Sequence, residues 1–181
     1  MSSVALTNIA TLVTNSAELG EGLLGLTQGK TLVLADGKIA AISDRTPEGV
    51  DEVIDCAGKS VIPGFVDSHT HLVFAGDRSA EFAARSRGEK YSAGGIKTTV
   101  TATRAASNSE LTSNAQILLD EALSQGTTTV EIKTGYGLTL HDELRSLDVA
   151  SAFTDETTLL AAHVIPEEYV NNPDGYVDLI V

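Results

Sequence analysis

Val61-Ile62-Pro63-Gly64-Phe65-Val66-Asp67-Ser68-His69-Thr70-His71 is the stretch on which the fold turns. An apolar run, punctuated early by Pro63-Gly64, ends in the polar cluster Asp67, His69 and His71. Side chains two apart on a strand share a face, so both imidazoles can point at one metal ion. Asp67 shares that face and can orient a ligand. The carboxyl ends of parallel barrel strands are where such ligands sit. A bare His-x-His is weak evidence alone, because metal-ligand spacings vary widely. Its place after an apolar strand tilts the reading towards metal.

Working outward, further apolar runs lie at residues 127–132, 157–161 and 176–181, with helical patterns between them. Leu111, Ala115, Leu118, Leu119, Ala122 and Leu123 recur at helical spacing. Ser107 and Glu110 form a capping box before them, and Gly126 can end that helix. A second helix is expected from Thr139 to about Phe153, with Leu140, Leu144 and Leu147 on one face. Strands alternating with helices predict βα units and a parallel sheet. The pattern before residue 61 differs: residues 31–34, Asp36-Gly37 and residues 39–42 read as a β-hairpin. The expected division is therefore a small β unit over 1–60 and an α/β unit over 61–181. The second holds three βα segments and a fourth strand, whose end at residues 178–181 reads as cut in mid-run. A complete (β/α)8 barrel takes roughly 250 residues. About half a barrel is present, and the chain reads as a fragment.

Charge narrows the partners. The 181 residues carry 25 Asp+Glu against 12 Lys+Arg, a net charge of -13. Nucleic acid and anionic membranes need a basic face, so neither is expected as partner. Small anionic substrates remain open, since they need only one or two well-placed cations. Hydrophobic residues at 42% and charged residues at 20% exclude wholesale disorder. A single cysteine, Cys56, excludes an internal disulfide framework and suits a reducing compartment. The start has no basic segment of a signal peptide, and no apolar run is long enough to span a bilayer. A soluble cytoplasmic protein is expected.

The stretch 61–71 resembles the first barrel strand of the amidohydrolase superfamily, whose members bear a metal-binding (β/α)8 barrel and often a small β-sandwich. Within it, residues 71–78, 81–85, 128–138 and 161–169 resemble the imidazolonepropionase family. The resemblance implies part of a β-sandwich over 1–60 and the first half of the barrel over 61–181. It implies a hydrolase of histidine degradation that opens the ring C–N bond of 4-imidazolone-5-propanoate to give N-formimidoyl-L-glutamate. One divalent metal ion, zinc or iron, is implied as cofactor. His69 and His71 match metal ligands; Arg78, Tyr136 and His163 match substrate-binding positions, and Tyr91 lines the same pocket. The general-base Glu and the remaining His and Asp ligands lie beyond residue 181, and the full-length family member is expected as a homodimer. The segment from Tyr91 to Ile96 is shorter than the family's. Another cyclic amidase or deaminase of the superfamily, or a non-catalytic remnant, are the alternatives.

These residue types suit that chemistry. Metal-bound water has a pKa near 7 in favourable sites. Arg78 offers a planar, always-charged fork for a propanoate carboxylate, although a loop arginine is more often simply solvated. Tyr136 lies between Gly135 and Gly137, where low backbone crowding is expected to present its hydroxyl. Taken alone it reads as a packing aromatic. His163 follows an apolar run at a strand end and is expected to donate to substrate, although taken alone it reads as a satisfied loop histidine. Lys133 reads as structural or as a support behind the metal ligands, His141 as solvent-facing, and Cys56 as no nucleophile. Residues 25–31 nearly spell a phosphate-binding loop, but one residue short and before a hairpin rather than a helix, so nucleotide binding is rejected.

Overall fold

The computed structural model describes residues 2–89 and 94–181 and divides into two compact units, Met1–Pro63 and Gly64–Val181. The first is built from β1 (Ser3–Thr7), β2 (Leu12–Val13), β3 (Leu26–Thr27), β4 (Thr31–Ala35), β5 (Lys38–Ser43) and β6 (Glu52–Asp55). Its main sheet runs β5-β4-β1-β6, and β2-β3 form a small antiparallel ribbon. The β4–β5 hairpin forms as the sequence predicts. Asp36 (φ 53°) and Gly37 (φ 73°) both take positive φ, the two-residue turn whose twist matches that of its strands. Strand β1 is antiparallel to β4 and parallel to β6. Ile9, Leu12 and Leu32 are buried at the centre of this unit. The near-phosphate-loop segment runs into β4, with no helix after it.

The second unit begins with β7 (Phe65–Thr70), followed by helices α1 (Ser79–Ser86), α2 (Gly94–Ala105) and α3 (Asn108–Ser124). Then come β8 (Thr127–Lys133), α4 (Leu140–Ser151), β9 (Thr157–Thr158), a short 3-10 turn (Glu167–Tyr169) and α5 (Pro173–Ile180). The sheet order is β7-β8-β9, parallel throughout. Alternation on β8 explains the layering: Val130 and Ile132 are buried with Leu111 of α3 and Val149 and Ala150 of α4. Helix α3 starts at the capping box read from sequence, with Glu110 N–H donating to Ser107 Oγ and Ser107 N–H to Glu110 Oε2. Thr139 caps α4 in the same position as expected.

Two expectations need correction. The third strand ends at Thr158 rather than Ala161, because Leu160 N–H donates to the side-chain Oγ1 of Thr134 instead of continuing the backbone ladder. The fourth strand at residues 176–181 is the helix α5. Asn172 accepts from Gly175 N–H, Pro173 occupies the first turn, and Tyr176 is buried with its hydroxyl donating to Ala161 O at 2.5 Å. A short apolar run does not by itself distinguish strand from buried helix, and the cap decides it.

Candidate active site

Beyond the carboxyl ends of three parallel strands, four rings converge. His69 lies near the end of β7 and His71 just after it, with ring centroids 5.3 Å apart. His71 stacks on His163, which follows β9, at 4.7 Å and 13° between planes. Tyr136, after β8, sits 5.5 Å from both His71 and His163. The structure thus gathers four of the six residues named from sequence. Arg78 stands at the start of α1 and lines a cavity of about 600 Å³ with Phe74, Phe82, Arg85 and Tyr136. Tyr136 is the residue common to cavity and ring cluster. Tyr91 lies outside the described residues.

The geometry fixes chemistry at each ring. His71 Nδ1 is buried and makes no hydrogen bond to any described residue, an open nitrogen next to a second imidazole. Burial, then His163 and His69, pull the His71 pKa below its ordinary value, against a weaker opposing pull from the Thr134 backbone. At neutral pH it therefore offers a lone pair, the form a metal ligand needs. Asp67 does not reach an imidazole; its Oδ1 accepts from the His69 backbone N–H at 3.2 Å. His163 Nδ1 lies 3.1 Å from Gly135 O. A carbonyl only accepts, so Nδ1 carries a proton and Nε2 is the ring nitrogen left to face the rings around it.

The glycines around Tyr136 serve a different end from that expected. Gly135 has φ 133°, and a Cβ there would fall 2.7 Å from His163 Nδ1. A Cβ on Gly137 would meet the α4 backbone at Asp142 and Glu143. Crowding, not its absence, selects glycine on both sides. Arg78 is held by Glu81 through two bonds of 3.0 Å, from Nε and Nη2, which fix the guanidinium plane. Gly95 of α2 closes on that pair: a Cβ there would overlap the Glu81 carboxylate and the Arg78 guanidinium. Lys133 pairs with Glu131 at 2.5 Å, and the Thr158 hydroxyl donates to the same oxygen. Those two partners hold the Glu131 carboxyl below its usual range. Lys133 is thus tied to its own strand, as a structural reading requires, and His141 is 84% exposed.

Among the described residues, no three His, Cys, Asp or Glu side chains gather as a metal site. Glu81, Gly95, Glu131 and Glu143 were missed from sequence. Glu81 had a signal in its spacing, three residues after its partner Arg78, whereas Glu143 meets backbone amides of Gly137 and Leu138, which no side-chain pattern announces.

Residues 52–173 match the sequence model of the Amidohydrolase family. The chain belongs to the amidohydrolase family. Its curated relatives in that family include imidazolonepropionase of Salinispora arenicola, 55% identical over 181 residues, covering 99% of this chain and 46% of that protein. Imidazolonepropionase of Mycolicibacterium smegmatis is 53% identical over 182 residues, with coverages of 99% and 46%. The chain spans about half the length of these amidohydrolase relatives. A crystal structure of atrazine chlorohydrolase from Arthrobacter aurescens, complexed with zinc, is similar in fold at TM-score 0.57 and 19% identity. That match covers 82% of this chain and 33% of the other. The fold is that of an amidohydrolase, α/β with a parallel sheet. No helix among the described residues is long and apolar enough to cross a membrane.

Proposed function

We propose that this chain forms the first half of an imidazolonepropionase. Residues 1–60 supply part of a β-sandwich and residues 61–181 the first half of a (β/α)8 barrel. The observation that carries the reading is the ring cluster of His69, His71, Tyr136 and His163 beside the cavity containing Arg78. His69 and His71 would hold one divalent ion, zinc or iron, for which the buried, unpartnered His71 Nδ1 is the fit. When bound, such an ion would make a water nucleophilic enough to attack at neutral pH.

The chain's own residues position 4-imidazolone-5-propanoate for cleavage of its ring C–N bond to N-formimidoyl-L-glutamate. Arg78, oriented by Glu81, takes the propanoate carboxylate in a charge-assisted contact. His163, with Nδ1 turned to Gly135 O, hydrogen-bonds the substrate through Nε2. Tyr136 closes the cavity next to both histidines. The remaining ligands and the general-base Glu come from residues beyond 181. The partner is this small molecule; the complete enzyme is a cytoplasmic homodimer.

The test uses a full-length enzyme carrying this sequence. His69→Ala and His71→Ala should each strip bound metal and ring opening together. Normal metal content in either purified variant would show that the two histidines are not ligands.

A further inference from the structure

We infer that Glu143 is a positioning residue that clamps the Tyr136 loop from behind. Glu143 is 3% exposed, yet it is an acid in the first turn of α4. Acids are almost never buried so completely without partners. Its Oε1 accepts from Gly137 N–H at 2.9 Å and Leu138 N–H at 2.7 Å, while Oε2 is buried with no hydrogen bond among the described residues. The same peptide unit is gripped from the other side: Arg104 Nε of α2 donates to Gly137 O at 2.6 Å, and Arg104 Nη1 pairs with Glu168 at 2.5 Å.

The residue held between two glycines is Tyr136, whose ring meets both His71 and His163. A loop with two glycines would otherwise sample many conformations. A buried carboxylate with two backbone donors removes that freedom at the point of attachment, and charged acceptors bind amides more tightly than neutral ones. Glu143 touches neither the proposed ligands nor the cavity that holds Arg78; it acts through the loop. That Tyr136 contacts substrate rests on the function proposed above, whereas the clamp stands on its own hydrogen bonds.

Two measurements separate these layers. In the 181-residue chain, amide exchange at Gly137 and Leu138 is compared with exchange in α3 for wild type, Glu143→Gln and Glu143→Ala. Protection at the two amides should fall several-fold in the glutamine variant and about ten-fold or more in the alanine variant, with α3 unchanged. The Tyr136 ring resonance, assigned by Tyr136→Phe, should shift in the same order. If the alanine variant does not fold, the glutamine variant decides; wild-type protection in the folded variant tested overturns the clamp. In full-length holoenzyme, Glu143→Ala should lower kcat/KM about ten-fold or more at unchanged metal content, and change it little in a Tyr136→Ala background. Equal losses in both backgrounds overturn the coupling to Tyr136. A wild-type enzyme inert towards imidazolonepropanoate removes the proposed function, while exchange and ring shift still decide the clamp.

Discussion

The stacking of His71 on His163 depends on one missing side chain. Gly135 combines a φ of 133° with a Cβ site against His163, so any other residue there meets both backbone strain and a ring it cannot pass. Gly135→Ala should destabilise the chain by about 1–3 kcal/mol and unstack the two imidazoles, read by urea denaturation and by the His163 ring resonances. Unchanged stability would mean the loop relaxes freely. Arg78 tests substrate choice instead. Metal and base serve many amidohydrolases, but a propanoate arm needs a cation at a fixed place. Arg78→Ala in the full-length enzyme should lower kcat/KM by about ten- to several-hundred-fold with metal retained, and lysine should recover only part, lacking the fork. Wild-type turnover of imidazolonepropanoate by Arg78→Ala would place the carboxylate elsewhere. At this scale the histidines were legible because strand alternation puts them together. Gly95 was not, because its meaning comes from Arg78 and Glu81 of another helix, and Glu143 was not, because only the bend of the Gly135–Leu138 loop brings two backbone amides onto its carboxylate.

Elements were legible where a local signal closed on itself. The capping box of α3 and the Asp36-Gly37 turn each need only four neighbouring residues, and both form. Ser107→Ala should therefore lower stability by about 0.5–2 kcal/mol, measured by chemical denaturation. The same box sets an acid dependence. Bonds from the Ser107 backbone and hydroxyl hold the Glu110 pKa below its ordinary 4.5, so the folded state favours the carboxylate. Its contribution is complete above the unfolded value and fades as pH falls through the lower, folded one. Helix α3 should begin to fray from its first turn below about pH 4.5, and Glu110→Gln should abolish that dependence, as followed by amide exchange along the helix. The strands β1 and β6 escaped the sequence because they pair across most of their unit. Helix α5 was misread because Tyr176-Val177 and Leu179-Ile180-Val181 mimic a buried strand, while the deciding cap, Asn172-Pro173, lies just upstream.

At the scale of the whole molecule, attraction and repulsion oppose each other. Strand β7 pairs only with β8 among the described residues, and it leaves Phe65 57% and Val66 69% exposed. A strand edge bearing exposed apolar side chains is a template for pairing with another chain. Against this stands a net charge of -13, which keeps copies apart wherever the field is unscreened. Screening shortens from about 30 Å at 0.01 M salt to about 3 Å at 1 M, while apolar contact is not weakened by salt. The 181-residue chain should therefore associate on its own, and more strongly as salt rises, the reverse of an assembly held by surface ion pairs. Sedimentation at low and high ionic strength, each at two protein concentrations, measures this directly. Replacing Val66 with lysine places a charge on the exposed edge strand and should return the high-salt distribution towards monomer. A chain that stays monomeric at high salt and unfolds in one sharp transition would show that the β7 edge is already satisfied.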